Sequence, residues 1–363
     1  MSSAADNEFM ARALQLAERG LYTTTPNPRV GCVIVRDGGV VGEGWHERAG
    51  GSHAEVMALR AAGERARGAT AYVTLEPCHH HGRTPPCDEA LIAAGITRVV
   101  AAMRDPDPRT AGQGMTRLKR AGITTATEVL ENAALVLNRG FVSRVTRGRP
   151  WTRMKIAASL DGKTALLNGK SQWITGEAAR HDGHHWRARA CAVLTGIGTV
   201  RDDDPQLTVR AVATPRQPLR VVIDSRLELP LTARILDGGG VLIACAVADD
   251  VKAAKLKDKG AEIVVIPNAA GKVELPALMQ ELGRRGINEL HVEAGHKLNG
   301  SLMNEGCVDE LLLYLAPCLI GERASGMADL PELTDLAGRR RLKIDDLCMI
   351  GGDIRILARW EAS

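Results

Sequence analysis

The stretch that decides the fold lies at residues 53–87, where H-A-E at 53–55 is followed by E-P-C-H-H-H-G-R-T-P-P-C at 76–87. His53, Cys78 and Cys87 offer one imidazole and two thiols. This ligand set suits tetrahedral zinc with a fourth position left for water. Glu55 stands two residues after the ligand histidine, where a carboxylate can carry protons without binding the metal. The stretch therefore predicts an open zinc site beside a proton carrier.

Helix geometry constrains how these residues can meet. Residues two apart do not share a helix face, so His53 and Glu55 can approach one ion only from the first turn of a helix. Pro85-Pro86 precede a second predicted helix that begins at Cys87, where the helix dipole favours the thiolate. We therefore expect two helix starts to converge on one ion.

A closed zinc site that only stabilises the fold is the alternative interpretation. It would need a fourth ligand, which His79, His80 or His81 could provide. The open site is favoured because Glu55 and Pro77 stand where zinc-dependent nucleobase deaminases carry H-x-E and P-C-x-x-C. The chain departs from that signature in one respect, since eight residues rather than two separate the cysteines.

The insertion between the cysteines points to a family. H-A-E followed by E-P-C-x-H-x-G-R-T-P-P-C resembles the bifunctional deaminase–reductase family of riboflavin biosynthesis, of which this insertion is a hallmark. The resemblance implies an N-terminal cytidine-deaminase-like α/β/α domain. It also implies that His53, Cys78 and Cys87 bind Zn²⁺ and that Glu55 is the catalytic residue.

The same resemblance implicates two residues of this half in substrate binding. His80 matches the histidine of the inserted loop and is expected to face the substrate, whereas His79 and His81 are interpreted as solvated loop residues. Asn27, in T-T-P-N-P at 24–28, matches an asparagine that deaminases of this superfamily use against the substrate. A turn residue between two prolines is the alternative interpretation of Asn27.

Length and composition agree with a two-domain enzyme. At 363 residues the chain exceeds the size at which one hydrophobic core usually keeps growing. A net charge of +4 is too small to predict a nucleic-acid-binding surface. The longest apolar run, 311–320, contains Pro317 and is too short to cross a bilayer. Because the eight cysteines do not suggest a disulfide framework and the N-terminus lacks a signal-peptide pattern, we expect a cytoplasmic protein that binds neither nucleic acid nor membrane.

The first half alternates strands and helices after an initial helix, which we expect Asp6 or Asn7 to cap. Alternation of this kind predicts a mainly parallel sheet with helices on both faces. Residues 141–150, F-V-S-R-V-T-R-G-R-P, are basic and aperiodic, and we interpret them as a linker. The predicted domains are therefore 1–146 and 147–363.

Three patches in the second half carry candidate chemistry. The first is K-I-A-A-S-L-D-G-K at 155–163 with S-Q-W-I-T-G at 171–176, and the others lie at 195–210 and 291–301. T-G-I-G-T-V-R in the second patch has arginine at the third glycine position, which argues against a dinucleotide fingerprint. In the third patch, Gly295 precedes a predicted helix, where backbone amides can bind a phosphate.

Together these patches resemble the reductase domain of the same family, an α/β domain related in fold to dihydrofolate reductase that uses NADPH. The resemblance implies that the cofactor is contacted by Ala157, Trp173, Thr199, Asp203, Ser225 and the run Gly295, His296, Lys297, Leu298, Asn299, Gly300 and Ser301. It implies that the substrate is contacted by Lys155, Ser171, Arg187, Leu207, Arg210 and Glu293. Guanidinium groups match phosphate in bidentate fashion, so Arg187 and Arg210 suit a 5′-phosphate.

Several of these positions also have plainer interpretations. Trp173 could be a core residue, Asp202–Asp204 a helix or turn cap, and Arg187 a solvated helix residue. Patterns at this level are hypotheses until the residues are seen together in space.

The residues and the resemblance together imply a bifunctional enzyme with one active site in each domain. The N-terminal domain is expected to hydrolyse the 2-amino group of a ribosylaminopyrimidinone 5′-phosphate with Zn²⁺ and Glu55. The C-terminal domain is then expected to reduce the ribosyl group to ribityl with NADPH. The alternatives are a deaminase of free bases or RNA with a non-redox C-terminal domain, and a non-catalytic zinc-stabilised binding protein, which the intact Glu55 disfavours. We expect a homo-oligomer that acts on a small phosphorylated pyrimidine.

Overall fold

The computed structural model describes residues 3–79, 86–247 and 249–361. The chain divides into two compact units, Met1–Gly148 and Arg149–Ser363. Within the described residues, no helix combines the length and apolar character needed to span a bilayer.

The N-terminal unit contains a five-stranded sheet in the order β2-β1-β3-β4-β5. Its strands are β1 Gly31–Arg36, β2 Gly39–Trp45, β3 Thr70–Val73, β4 Arg98–Ala101 and β5 Thr124–Ala126. Its helices are α1 Ala4–Glu18, α2 Ala54–Ala62, α3 Cys87–Ala93, α4 Gln113–Arg120, α5 Glu131–Leu137 and α6 Arg139–Arg147.

This sheet is mixed, whereas the alternation of elements predicted a mainly parallel one. β1 pairs antiparallel with β2 and β3, and β4 pairs parallel with β3 and β5. Asp37 and Gly38 both have positive φ, 52° and 76°, as a type I′ hairpin turn between β1 and β2 requires. The tight turn therefore reverses the chain at the start of the sheet, and the helical crossovers follow later.

Two glycines let α2 approach β2 closely. A Cβ on Gly42 would lie 2.3 Å from the carbonyl oxygen of Ala58, and one on Gly44 would lie 2.5 Å from the amide nitrogen of Ala58. A larger residue at either position would push the helix away. Because α2 begins directly after His53, this packing determines where the predicted ligand histidine stands.

The cap of α1 is Ser3, so the prediction of Asp6 or Asn7 is wrong. Ser3 accepts the backbone N–H of Asp6, and the Asp6 carboxylate accepts the backbone N–H of Ser3, which together form a capping box. Asp6 is buried, and it also accepts hydrogen bonds from Arg98 at 2.7 Å and Tyr72 at 2.9 Å. Asp6 thus joins the first helix to the sheet.

The linker predicted at 141–150 is also wrong, since residues up to Arg147 belong to α6. The buried face of this helix is made by Gly140 and Ser143, small residues that leave no apolar periodicity in the sequence. Asn138, just before α6, donates to the carbonyl oxygen of Arg29 and accepts its N–H, at 2.9 and 2.8 Å. The helix is therefore part of the N-terminal unit.

The C-terminal unit is built on a nine-stranded sheet in the order β11-β10-β9-β8-β12-β6-β13-β16-β15, with a separate β14-β7 pair. Its strands are β6 Trp151–Ser159, β7 Lys163–Ala165, β8 Ala192–Gly196, β9 Leu219–Ile223, β10 Val241–Cys245, β11 Ala261–Val265, β12 Glu289–Val292, β13 Glu310–Ala316, β14 Ser325–Gly326, β15 Leu342–Ile350 and β16 Asp353–Trp360. Its helices are α7 Glu177–Arg189, α8 Ile197–Asp203, α9 Asp250–Asp258, α10 Leu275–Arg284 and α11 His296–Asn304.

The sheet is parallel from β11 to β13 and antiparallel at the β13-β16-β15 edge. β12 lies between β8 and β6 and is parallel to both. The predicted patches include the carboxyl ends of these three strands, which meet at one edge of a parallel arrangement. The topology therefore brings the three patches to a common edge.

Candidate functional site

The predicted zinc ligands lie together in the N-terminal unit. His53 is the N-cap residue of α2, Cys87 is the first residue of α3, and their ligand atoms and that of Cys78 all lie within 4.8 Å of one another. Nδ1 of His53 is 3.2 Å from Sγ of Cys87 and 3.5 Å from Sγ of Cys78. In the part of the chain that the structure describes, no further histidine, cysteine or acid joins this group. Three protein ligands are the number found in catalytic zinc sites.

The surroundings of Cys78 favour its thiolate. The backbone N–H of Cys87 donates to Sγ of Cys78 over 3.3 Å. The hydrogen bond from the Cys87 thiol lowers the pKa of Cys78 more than burial raises it, and the hydrogen bond from His53 lowers it further. Because a thiol must lose its proton to bind metal, this donor set fits zinc.

Glu55 lies in the first turn of α2 and is buried. Burial raises the pKa of Glu55 to about 7, and the charge of Cys78 acts in the same direction. A carboxyl group with a pKa near neutrality can both accept and return a proton. The chemistry of Glu55 is therefore that of a proton carrier beside the ligand group.

His46 holds Asn27 beside the same group, and the sequence did not single out His46. Its Nδ1 lies 3.0 Å from the carbonyl oxygen of Ser52, which can only accept, so Nδ1 carries the proton. Its Nε2 then accepts from the side-chain amide of Asn27 over 3.0 Å. The His46 ring stands edge-on to the His53 ring at 5.7 Å. The signal was not visible in the sequence because Asn27 and His46 meet only through tertiary packing.

His79 is a loop residue whose side chain is 34% exposed, and it also makes a hydrogen bond that the sequence did not suggest. Its Nδ1 is 2.7 Å from Oδ2 of Asp88, whose side chain is fully buried. His79 does not join the ligand group among the described residues. His80 and His81, the other two predicted loop histidines, lie outside the described residues.

Glu76 anchors the segment that carries Cys78. Its buried carboxylate accepts the backbone N–H groups of Asp105 at 3.2 Å, Gly112 at 2.9 Å and Met115 at 3.1 Å. Three such bonds satisfy a buried negative charge without a cation. The glutamate of the E-P-C stretch therefore ties the ligand segment to the loop before α4 and to the first turn of α4.

In the C-terminal unit, Arg187 and Glu293 form a largely buried ion pair with side chains 16% and 14% exposed. Nη2 of Arg187 lies 2.8 Å from Oε2 of Glu293, and Nε donates to the other oxygen. Burial, together with the charge of Arg187, lowers the pKa of Lys155, although the charge of Glu293 opposes this. The structure thus brings three predicted substrate residues together and contradicts the solvated interpretation of Arg187.

Arg210 lies beside His184, and it shares a hydrogen-bond partner, Thr208, with Arg187. The backbone N–H of Arg210 donates to Nδ1 of His184 over 3.3 Å, and its guanidinium donates to Oγ1 of Thr208 over 3.1 Å. Burial and then the charges of Arg187 and Arg210 lower the pKa of His184 to about 4. Four basic side chains therefore gather at this edge, of which the sequence analysis missed His184.

Asp203 contacts a predicted substrate residue. It lies 3.4 Å from Oγ of Ser171 and accepts from the side-chain amide of Gln172 over 3.2 Å. Trp173 is 70% exposed, with its ring 4.6 Å from the guanidinium of Arg180, so the interpretation of Trp173 as core is wrong. The first and second patches are thereby joined.

The third patch packs against the second. A Cβ on Gly196 would lie 2.9 Å from Leu298, and one on Gly295 would lie 3.9 Å from Oγ1 of Thr199. Gly295 is the N-cap residue of α11, and Asn299 donates to the carbonyl oxygen of Met327 over 2.9 Å. The remaining members of the run lie in the same helix, namely His296, Lys297, Gly300 and Ser301.

Three predicted contacts have other surroundings in the structure. Leu207 is buried in an apolar cluster, so any substrate contact must come from its main chain. Ser225 accepts the backbone N–H of Val273 over 3.2 Å, and its carbonyl oxygen accepts from Ala246. Ala157 lies in β6 opposite Tyr314 of β13. The contacts of these three residues were predicted only from the resemblance to the family, because the surrounding sequence contains no motif that would indicate them.

His291 is a third residue that the sequence analysis missed, after His46 and His184. It is fully buried in β12, and its Nε2 lies 3.5 Å from Oε1 of Glu293. Burial lowers the pKa of His291, so the ring is neutral at pH 7. Glu293 directly follows the last residue of β12, so the end of this strand brings the two side chains together.

Comparison with known proteins identifies both units. A family described as the cytidine and deoxycytidylate deaminase zinc-binding region matches residues 3–103. A family described as the RibD C-terminal domain matches residues 150–356. The fold class predicted for each half is thereby confirmed.

Relatives match along nearly the whole chain. The riboflavin biosynthesis protein RibD of Escherichia coli K12 is 47% identical over 361 residues, covering 96% of this chain and 98% of the relative. The RibD protein of Aquifex aeolicus is 42% identical, with 94% and 96% covered.

Solved structures agree with these relatives. RibD of Acinetobacter baumannii is 44% identical with a TM-score of 0.92, covering 99% of each chain. A diaminohydroxyphosphoribosylaminopyrimidine deaminase/5-amino-6-(5-phosphoribosylamino)uracil reductase of Thermotoga maritima is 32% identical with a TM-score of 0.87, covering 98% of this chain and 99% of that chain. Zinc is accordingly the metal of the deaminase unit and NADPH the reductant of the other. The chain belongs to the RibD family of riboflavin biosynthesis proteins and is a bifunctional enzyme with a deaminase and a reductase domain.

Proposed function

We propose that the N-terminal unit hydrolyses the 2-amino group of 2,5-diamino-6-ribosylamino-4(3H)-pyrimidinone 5′-phosphate, and that the C-terminal unit reduces the ribosyl group of the product to ribityl. The relative from Thermotoga maritima carries both activities in its name. The single observation that carries the proposal is the three-ligand group of His53, Cys78 and Cys87 beside the buried carboxyl of Glu55.

In the deaminase unit, His53, Cys78 and Cys87 hold the zinc. Zinc, when bound, supplies the Lewis acidity that makes water a competent nucleophile at neutral pH. Glu55 accepts the proton of the attacking water and returns protons to the ring and to the leaving amine, for which a pKa of about 7 is well placed. Asn27, oriented by His46, and His80 contact the pyrimidine.

In the reductase unit, NADPH supplies the hydride. Lys155 and Glu293 lie at the edge where the three patches meet. We assign to them the binding of the open-chain sugar that accepts the hydride. Asp203 and Ser171 are joined to each other and line the cofactor and substrate sides of that edge. Ala157, Trp173, Thr199, Ser225 and the run from Gly295 to Ser301 complete the cofactor contacts, and Leu207 contributes its main chain.

We assign the binding of the 5′-phosphate to Arg210 in preference to Arg187. The guanidinium of Arg187 is engaged by both oxygens of Glu293 and donates to the carbonyl oxygen of Thr208. Arg210 is exposed and bonds neutral groups, so its charge is available to an anion. The neutral His184 beside it can add a hydrogen bond.

We further propose that the two units are independent domains. The boundary predicted after residue 146 would cut α6 before its last residue, Arg147, so the separation belongs after Gly148, which has the left-handed φ of 69° that ends the helix. Expression of 1–148 and 149–363 should give a deaminase and a reductase. Absence of both activities from soluble fragments would reject independence.

A homo-oligomer and a cytoplasmic location are also proposed. β15 is an edge strand whose Ile344, Leu347 and Met349 are 54%, 60% and 60% exposed, a liability in an isolated sheet that a second subunit would cover. None of the eight cysteines forms a disulfide, as is usual in a reducing compartment. Light scattering of the purified protein and fractionation of cells test these two proposals.

The overall function is tested by incubating the purified protein with the diaminopyrimidine substrate and NADPH and identifying the products by mass. Ammonia release with ribityl formation is the expected result. Ammonia release from free bases alone, with no NADPH oxidation on any pyrimidine phosphate, would contradict it.

A further inference from the structure

A side-chain hydrogen bond joins the residues that directly follow the two cysteine ligands. His79 follows Cys78, Asp88 follows Cys87, and Nδ1 of His79 lies 2.7 Å from Oδ2 of Asp88. Since a carboxylate can only accept, Nδ1 of His79 is the donor. The bond therefore spans the two ends of the eight-residue insertion that separates the cysteines.

Two backbone hydrogen bonds lie beside this bond. The N–H of Cys87 donates to Sγ of Cys78, and the N–H of Asp88 donates to the carbonyl oxygen of Cys78, each over 3.3 Å. Residues 78–79 and 87–88 are thus tied at three points, one of which ends on a ligand sulphur. We call this group of three bonds the stem of the insertion.

Of the three bonds in the stem, the one between His79 and Asp88 is the best suited to position a metal ligand, because Asp88 is fully buried. Its Oδ1 accepts the N–H of Glu89 over 2.7 Å, and Arg117 approaches Oδ1 no closer than 3.7 Å. Oδ2 is held by His79. A buried carboxylate that loses a donor must find another or move toward water, and Cys87 is its neighbour in the chain.

In deaminases with two residues between the cysteines, the short chain itself keeps the two sulphurs close. A longer connection allows the ends to separate, at a cost in closure entropy that something else must offset. We propose that the His79–Asp88 hydrogen bond is a clasp that closes the insertion at its base and holds Cys78 and Cys87 at ligand spacing. His79 and Asp88 are positioning residues of the zinc site, and this inference rests on the ligands assigned above.

The test compares His79→Asn with His79→Ala in the full-length, zinc-loaded protein. The amide nitrogen of asparagine can occupy the place of Nδ1, whereas alanine removes the donor. Zinc release to a colorimetric chelator should be about tenfold faster in His79→Ala, the scale typical of lost supporting contacts at zinc sites, and close to the parent rate in His79→Asn. The visible spectrum of the Co²⁺-substituted protein should change in the alanine variant and be restored in the asparagine variant.

Asp88→Asn provides a second route to the same conclusion. An amide has one acceptor oxygen for the two donors that Asp88 now serves, so zinc release should again be faster. Circular dichroism and urea unfolding of the isolated fragment 1–148 of each variant, compared with the parent fragment, report whether the N-terminal unit has folded.

The outcomes separate the clasp from the ligand assignment. If the parent protein binds no zinc, the assigned ligands are wrong. If the parent binds zinc but releases it no faster in either His79→Ala or Asp88→Asn, the clasp is rejected. Equal acceleration in His79→Ala and His79→Asn also rejects it, because the hydrogen bond would not be the property that matters.

Discussion

The carboxylate of Glu293 is held by the guanidinium of Arg187, with Nη2 2.8 Å from Oε2 and a second bond from Nε to the other oxygen. Burial alone would raise the pKa of Glu293, but the charge and hydrogen bonds of Arg187 outweigh it and hold that pKa well below its usual range. The pair is therefore ionic at neutral pH. It ties α7, which carries Arg187, to the strand end after β12, at the edge where the reductase patches meet.

Replacing Glu293 with glutamine should destabilise the protein by about 3 kcal/mol, because it leaves a largely buried guanidinium without its counter-charge. The matched control is Glu228→Gln, whose partner Arg201 is 49% exposed and screened by water. The control should cost less than about 1 kcal/mol. Urea unfolding of both variants is the measurement, and equal losses would show that the Arg187–Glu293 pair is no more than a surface contact.

Replacing Lys155 with alanine should depress NADPH oxidation strongly while ammonia release stays near the parent rate. Lys155 interacts with the charges of Glu293 and Arg187 at the substrate edge, and loss of one positioning contact at a reacting centre costs about a hundredfold or more in rate. Lys257→Ala, on the exposed face of α9, is the control and should leave both activities unchanged. A urea unfolding midpoint well below that of the parent would point to misfolding of the C-terminal unit and not to a lost contact.

The zinc site could be predicted from the sequence because its parts are local. A ligand at a helix start, a proline before a cysteine and a carboxylate in a first turn are all visible within a few residues. The hydrogen bond between His46 and Asn27 could not be predicted from the sequence, because it forms where a loop meets the end of β2. Helix α6 was missed because Gly140 and Ser143 form its buried face without apolar periodicity.

In the C-terminal unit, too, some features of the candidate site were visible in the sequence and others were not. The strand ends and the glycine before α11 were visible in the sequence, but that the patches meet at one edge follows only from the order of the strands in the sheet. The burial of Arg187 and the exposure of Trp173 were not visible, because solvent access at these positions is decided by packing across the sheet. A role for His291 could not be predicted from the sequence, because a single histidine in a strand forms no recognisable motif.

Replacing Glu55 with glutamine should lower ammonia release by about 10²–10⁴-fold, the range that proton transfer by a positioned side chain contributes. The variant should still bind about one zinc per chain, because Glu55 is outside the ligand group. Ammonia assays with metal analysis of the same sample provide the check. Substantial ammonia release by a zinc-loaded variant would remove Glu55 from its assigned role.

Stability should fall as the pH drops below about 6.5, in part through His184. Burial and two arginines lower the pKa of His184 from 6.5 to about 4, so in this window the unfolded chain binds a proton that the folded chain does not. Folding is therefore penalised progressively from pH 6.5 to about pH 4, by at most about 1.4 kcal/mol per pH unit for one such group. His184→Gln should flatten this slope in urea unfolding, and His181→Gln, at an exposed position of the same helix, should not.

The reductase should prefer the deaminated pyrimidine. Deamination replaces an amino donor with a carbonyl acceptor, and a site matched to one leaves a polar group unpaired against the other, which costs about 1–3 kcal/mol or roughly a tenfold to hundredfold loss in rate. The Glu55→Gln variant allows the comparison because it should convert one substrate into the other about 10²–10⁴-fold more slowly than the parent. NADPH consumption should be faster with the deaminated compound than with its precursor, and the parent enzyme given the precursor should release ammonia before it oxidises NADPH. Equal rates on the two compounds would reject the order of deamination before reduction. No NADPH consumption on either would reject the assignment of Lys155, Arg187 and Glu293 to a reductase site.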